Sequence, residues 1–273
     1  MTATPDTALR ATRPGPGVRL TAPEPTFAGR LWFGWMAFWG LFFTATMSPG
    51  VVVHSAFQPT ARTLRAWMEP WARAILSMAG VRVVVEQRAP LPDGPVVFVS
   101  NHVNSLDIPA VMVGLPRPFL YVARHELRSW PFVGWVLEKT ACLFIERNNP
   151  RKALASLRRA GERIRGGDSV LLFPEGGRSY AHALMPFMRG PFLLAVEAGV
   201  PVVPVTLVGH AGVFSKSSKA ARPGETRFVL GAPIPTSGLS RADAADLRAR
   251  VRAVIQGELD AHQAPALASD PGP

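Results

Sequence analysis

The sequence predicts an α/β protein: a mixed, mostly parallel sheet flanked by helices, preceded by an N-terminal membrane-associating helical segment. Three observations carry that expectation. Short β-branched runs such as Val96-Val97-Phe98-Val99, Val170-Leu171-Leu172 and Val202–Val208 alternate with longer amphipathic stretches, the pattern of strands joined by helices. Two of these runs lead directly into polar loops, Asn101-His102-Val103-Asn104-Ser105-Leu106-Asp107 and Pro174-Glu175-Gly176-Gly177-Arg178-Ser179. From Leu31 to Ala61 there is no Asp, Glu, Lys or Arg, and Trp32, Trp35 and Trp39 cluster at its start.

Length and charge narrow the options. At 273 residues the chain holds one sizeable α/β domain with a short appendage. Lys and Arg number 30 against 19 Asp and Glu, which favours anionic partners: nucleic acid, phosphorylated substrates or an acidic lipid surface. No zinc-finger spacing and no aromatic RNA-binding motif accompanies that charge, whereas a long apolar segment does. Membrane and phosphate partners are therefore expected, and nucleic acid is not. Cys142 is the only cysteine, so intrachain disulfides and cysteine-based metal clusters are excluded. Lying within the apolar run Ala141–Ile145, it reads as inert packing and not as a nucleophile.

Along the chain, residues 1–26 are rich in Pro, Gly and Arg without apolar periodicity, a disordered tail. Residues 27–80 form the membrane-associating part. A helix over Leu31–Met47 would reach about 26 Å, short of the roughly 30 Å hydrocarbon core. Ser48-Pro49-Gly50 then interrupts it, so a re-entrant or interfacial hairpin is expected, with a single-pass anchor as the alternative. Arginines on both sides, Arg10, Arg13, Arg19 and Arg30 before and Arg62, Arg65 and Arg73 after, place both flanks on the cytoplasmic face of the cell membrane. Leu64, Trp67, Trp71, Ile75 and Met78 recur at helical spacing, giving a helix over Thr60–Ala79 that lies on the membrane or docks on the domain.

Residues 81–262 form the main domain. Strands are expected over Val81–Glu86, Val96–Val99, Phe119–Ala123, Ala141–Ile145 (buried), Val170–Leu172, Val202–Val208 and Thr226–Leu230. A basic amphipathic helix runs from Pro150 to Arg165, with Leu154, Leu157 and Ile164 inward, and another helix follows Gly190 to Ala198. Ser215–Gly224 reads as a polar loop. Ser240 with Asp243 caps a last helix ending near His262, and residues 263–273 form a second tail.

The first polar loop is the candidate site. Residues i and i+5 of a regular helix point about 140° apart, so His102 and Asp107 can meet only if His102 sits in the strand-to-helix turn. With Asn104 or Ser105 as N-cap, Asp107 falls in the first helical turn, from which its carboxylate reaches back to the imidazole. A carboxylate on one ring nitrogen leaves the other free to take a proton from a hydroxyl, the arrangement of a general base. The plainer reading is a histidine that only satisfies a turn. His125 lacks such a partner and reads as a loop residue; His182 and His210 are left as possible lining of the same cleft.

Together with Phe173-Pro174-Glu175-Gly176-Gly177-Arg178-Ser179, Leu143-Phe144-Ile145-Glu146-Arg147 and Val200-Pro201-Val202-Val203-Pro204-Val205, this loop resembles the four ordered motifs of the lysophosphatidate acyltransferase family. The resemblance covers roughly Val81 to His262. It implies transfer of a fatty acyl chain from coenzyme A or acyl carrier protein, as substrates, to the hydroxyl of a lysophospholipid, with no cofactor and no metal. It implies that His102 and Asp107 are catalytic, that Arg147 and Arg178 hold the acceptor phosphate through forked guanidinium donors, and that Glu175 positions its loop or the glycerol hydroxyl. Gly176 and Gly177 then let backbone approach a ligand. Two departures, Gly177 in place of the family's usual Thr and Met188 where Lys is common, put the acceptor headgroup in question and leave another lysolipid, such as a lyso-aminolipid, as an alternative. A lipid thioester hydrolase and a non-catalytic lipid-binding protein are the competing classes. No Gly-x-Ser-x-Gly elbow suggests a serine nucleophile.

Overall fold

The computed structural model describes residues 22, 26–57, 60–130, 132–139, 142–145, 150–179, 184–215 and 219–268. Two helices come first, α1 (Phe27–Phe57) and α2 (Ala61–Met78). The main domain follows as β1 (Val81–Gln87), β2 (Val97–Ser100), α3 (Asp107–Gly114), β3 (Phe119–Arg124), a 3-10 turn (His125–Ser129), α4 (Val133–Lys139), β4 (Leu143–Ile145), α5 (Pro150–Arg165), β5 (Ser169–Leu172), α6 (Gly190–Ala198) and β6 (Val202–Val208). A single helical turn α7 (His210–Val213), the short strands β7 (Phe214–Ser215) and β8 (Ala220–Ala221), then β9 (Gly224–Leu230) and α8 (Ala244–Ala268) complete it.

The main sheet has seven strands in the order β1-β9-β6-β2-β5-β3-β4. Every pairing is parallel except β6 with β9, so the sheet is mixed and mostly parallel. The unbroken apolar runs follow from burial on both faces. Along β2, Val97 and Val99 enter one core with Val170, Leu172, Ile164 and Phe192, under α5, α6 and α8. Val96 and Phe98 point the other way and join Leu171, Val203, Met112 and Leu64, under α2 and α3. The period of two thus divides one hydrophobic run between two layers.

The predicted reversal at Ser48-Pro49-Gly50 is absent: α1 runs through Pro49 without a break. Proline removes one backbone hydrogen bond, but α2 clamps α1 on both sides of it. Trp71 Nε1 donates to Thr44 Oγ1 at 3.2 Å, Trp67 Nε1 to His54 Nδ1 at 2.9 Å, and the indole of Trp67 lies directly over Gly50. Trp32 Nε1 donates to the Ala79 carbonyl at 3.3 Å, so the pair is antiparallel and the chain reverses between α1 and α2. Thr60 caps α2, its Oγ1 accepting from Thr63 N, and α2 docks on α3 through Leu64 and Ala72.

The expected α3 cap also differs. Leu106 occupies the N-cap without a side-chain bond, and Asn104 instead accepts from Leu106 N through Oδ1 at 2.9 Å, in the preceding turn. β4 is an edge strand whose Leu143 and Phe144 are half-buried, not the buried strand expected, because β3 pairs with it on one side only. The loop read over Ser215–Gly224 contains a two-stranded β7–β8 ladder. Helix α8 continues past His262, where periodicity ended it, to Ala268.

Among the described residues α1 is the helix long and apolar enough to cross a membrane, and only 11% of its most apolar stretch is buried. Phe27, Leu31, Trp35, Phe38 and Phe42 stand exposed at helical spacing along it, with Trp130 and Trp135 exposed on the neighbouring turn and α4. Among the described residues nothing covers that ridge.

Candidate active site

Strands β5, β2 and β6 are adjacent and parallel in the middle of the sheet, so the loops after them converge at one edge. Ligands of open α/β sheets bind outside the carboxyl ends of such strands. The turn after β2 brings His102, the turn after β5 brings Glu175 to Arg178, and the turn after β6 brings His210.

Asp107 is the first residue of α3 and fully buried. Its Oδ2 lies 2.7 Å from His102 Nδ1 and accepts the backbone N–H of Val103 at 2.5 Å and of Asn104 at 2.9 Å. Its Oδ1 lies 2.7 Å from Nδ1 of His210. Burial by itself opposes ionisation, but hydrogen bonds from His102 and His210 outweigh it and hold the carboxyl well below the usual carboxylate range. An ionised carboxylate only accepts, so each imidazole presents Nδ1–H to it. His102 therefore keeps a free Nε2, and its ring lines a cavity of about 510 Å³.

The backbone of His102 is held as firmly as its ring. Glu175 Oε1 accepts His102 N–H at 2.8 Å and its Oε2 accepts Met185 N–H at 2.9 Å. Ser179 donates to the His102 carbonyl twice, from N at 2.8 Å and from Oγ at 3.1 Å. Phe173 stacks on the imidazole with ring centroids 4.2 Å apart. Burial raises the Glu175 carboxyl, against the lowering effect of its two N–H donors. Each oxygen of Glu175 thus accepts one backbone N–H, tying the turn after β2 to Met185.

Asparagines tie the loops together from beneath. Asn101 bridges β6, donating to Leu207 O at 3.0 Å and accepting from Leu207 N at 2.8 Å. Asn104 Nδ2 donates to His210 O at 2.7 Å and to Phe214 O at 2.9 Å. Gly176, with φ 71°, takes a conformation a side chain would strain, and Gly177 follows it half-buried. Gly176 and Arg178 line the cavity, and no carboxylate pairs with Arg178 among the described residues. Arg147 lies outside the described residues, as does His182. His125 is exposed on the 3-10 turn. Burial pushes the Cys142 thiol up to about 12, consistent with inert packing.

Besides His102 and Arg178 the cavity is lined by apolar side chains, among them Met47 and Val51 of α1, Leu64 and Trp71 of α2, and Val133 and Val136 of α4. It is of the size that takes a small-molecule ligand. A nitrogen base in the wall of a mostly apolar pocket suits a reaction between a hydroxyl and the head of a long hydrocarbon. Among the described residues no group of His, Cys, Asp and Glu is arranged to hold a metal ion.

Of these groups, Asn101, Phe173 and Ser179 read from sequence only as parts of motifs, Asn104 only as a helix cap, and His210 only as possible lining of the cleft, a lining that does not include it. His210 alone carried a signal, a polar residue just beyond a fully buried strand, the same placement as His102 after β2.

Fold and site together define the class of α/β proteins in which a histidine–aspartate pair at the ends of central parallel strands faces a lipid-sized apolar cavity. The family described as Acyltransferase matches residues 82–208. A 1-acyl-sn-glycerol-3-phosphate acyltransferase of Chlamydomonas reinhardtii is 30% identical over 79% of this chain and 67% of its own. A lyso-ornithine lipid O-acyltransferase of Pseudomonas aeruginosa is 31% identical over 68% of this chain and 76% of its own. A chloroplastic 1-acyl-sn-glycerol-3-phosphate acyltransferase of Brassica napus is 34% identical, but the match spans only 43% of that relative's length. The crystal structure of the PlsC acyltransferase from Thermotoga maritima shares the fold, with a TM-score of 0.73 at 23% identity, over 91% of this chain and all of that one (100%). The chain belongs to the acyltransferase family, in the group that contains the lysophosphatidate acyltransferases.

Proposed function

We propose that this protein transfers a fatty acyl group from acyl-coenzyme A or acyl carrier protein to the free hydroxyl of lysophosphatidate, giving phosphatidate at the cytoplasmic face of the cell membrane. The observation that carries the reading is the His102 imidazole, held through Nδ1 by Asp107 and lining a mostly apolar cavity, with no partner for Nε2 among the described residues. The acceptor hydroxyl gives its proton to Nε2 as its oxygen attacks the thioester carbonyl. Collapse of the tetrahedral intermediate expels the thiolate, which takes the proton back from the imidazolium. The acyl chain lies in the cavity, and Arg178, together with Arg147, meets the acceptor phosphate. The exposed ridge of α1 with Trp130 and Trp135 seats the mouth against lipid.

A second acceptor class has specific support. Met188 is exposed and Arg189 donates to the Arg241 carbonyl at 2.8 Å, so neither adds a cation at the cavity. With Gly177 in the loop, the phosphate grip rests on few charges. A lyso-aminolipid is then also acylated, in keeping with the similarity to the lyso-ornithine lipid O-acyltransferase of Pseudomonas aeruginosa.

The test is a panel assay: membranes carrying the protein, one labelled acyl thioester, and lysophosphatidate, glycerol-3-phosphate, a lyso-ornithine lipid and a zwitterionic lysolipid offered separately. Label in phosphatidate, with a lesser yield on the lyso-ornithine lipid, is expected. Arg178→Ala should raise KM for lysophosphatidate more than for the aminolipid. Release of free fatty acid at one rate with and without acceptor would establish a hydrolase instead.

A further inference from the structure

The acyltransferase reading uses one histidine on Asp107, yet the carboxylate holds two. We propose that His210 is a positioning residue of the acyl-transfer site: by donating Nδ1–H to Asp107 Oδ1 it reserves Oδ2 for His102 and tempers the charge that His102 feels. The inference rests on His102 being the general base.

The geometry separates the two histidines by role. The His102 side chain retains 15% exposure and lines the cavity, whereas His210 is 1% exposed and does not. His210 Nε2 is buried and has no hydrogen-bond partner among the described residues. A proton there would put a buried N–H where no described residue accepts it, so the bond to Asp107 is made through Nδ1–H with Nε2 bare. It can give Asp107 a hydrogen bond but no full positive charge, and it cannot reach a substrate hydroxyl.

The ring is placed by its own loop. Gly209, at φ 81°, turns the chain from β6 into α7, and Asn104 Nδ2 anchors the His210 carbonyl to the turn that carries His102. Asp107 Oδ2 meets three donors and Oδ1 meets His210. Without His210 the buried Oδ1 would lose this side-chain partner, and the carboxylate would act more strongly on the imidazolium of His102.

Among the described residues, the other charged groups around this cluster have other contacts or face the cavity. No further residue of α7 titrates. From the segment before β9, Arg222 Nε donates to Gly212 O at 2.6 Å. On β9, Arg227, opposite Val208, is paired with Glu86 of β1 and lies 3.6 Å from Glu225. From the β5 loop, Glu175 holds the His102 backbone and Arg178 lines the cavity. From α1, Phe33 stacks on Phe214 and brings no charge. Asp107 is the group through which His210 acts on His102.

The test compares full-length wild type, His210→Phe and His210→Asn in detergent micelles, by 15N-histidine NMR titration and by kcat/KM against pH. Asparagine places Nδ2–H where histidine has Nδ1–H. The wild type should show His210 with its proton on Nδ1 and a bare Nε2. In His210→Phe the His102 resonances and the acid limb of the profile should move up by about half to one pH unit, with kcat down roughly tenfold and donor KM unchanged. His210→Asn should restore both. An unmoved His102 titration in His210→Phe, failure of Asn to rescue, or a His210 that carries its proton on Nε2 in the wild type would each overturn the proposal. The tautomer is read on the wild type, so a misfolded Phe variant does not shield the idea. Transfer retained by His102→Ala would defeat the general-base reading separately, since the NMR titration needs no turnover.

Discussion

Replacing Glu175 by glutamine tests whether this carboxylate positions the base or touches the acceptor. Its two oxygens accept His102 N–H at 2.8 Å and Met185 N–H at 2.9 Å. Glutamine keeps one acceptor and turns an NH2 group toward the second N–H, so one charge-assisted bond worth about 1.5–3 kcal/mol is lost. Relief of burying a carboxylate offsets part of this, leaving a net loss of about 2 kcal/mol. For a chain of this size that lowers Tm by roughly 4–8 °C. Whichever N–H is released, the loop that fixes the His102 backbone loosens, and a small displacement of a catalytic group costs up to about 10²-fold in rate. Calorimetry and steady-state kinetics on lysophosphatidate should therefore show a lower Tm and a tenfold to hundredfold lower kcat, with acceptor KM little changed. A raised acceptor KM at unchanged kcat and Tm would refute the reasoning and give Glu175 a substrate hydroxyl as partner.

Three further outcomes follow from the same geometry. Val51→Trp fills the apolar interior of the cavity and should shift donor preference to shorter acyl chains, read from the product distribution with a mixture of thioesters; an unchanged distribution would place the chain elsewhere. Trp35→Glu with Phe38→Glu puts charge on the exposed ridge and should weaken vesicle binding in sedimentation while sparing turnover of a micellar short-chain acceptor; unchanged sedimentation would remove the ridge from the membrane contact. Asp107 is held below its ordinary range, so its ionised form stabilises the fold above the unfolded carboxyl value of about 4, and that contribution is lost as pH falls toward the folded value. The Tm gap between wild type and Asp107→Asn should thus be widest at pH 6–7 and narrow toward pH 3; a gap that widens with acid would reverse the assigned sign.

Much of this arrangement was legible in the residues because it is local. His102 and Asp107 meet within one strand-to-helix turn, and the central strands announce themselves as β-branched runs. The rest depends on which strands neighbour one another. His210 reaches Asp107 only because β6 lies beside β2, and nothing local in the sequence records that adjacency. Pro49 misled for a related reason: its local effect is to break a helix, and only Trp67 and Trp71, arriving from α2, override it. The run at Cys142–Ile145 is apolar enough for an interior strand, and its edge position follows from chain order across the sheet.

The most direct test of the account is acyl transfer by His102→Ala, set against wild type in the same membranes with a labelled thioester and lysophosphatidate at saturating concentrations. Loss of the general base predicts a kcat lower by about 10²–10⁴-fold, in a protein whose far-ultraviolet spectrum and membrane fraction are unchanged. Phosphatidate formed at the wild-type rate would contradict the assignment of His102 and with it the mechanism.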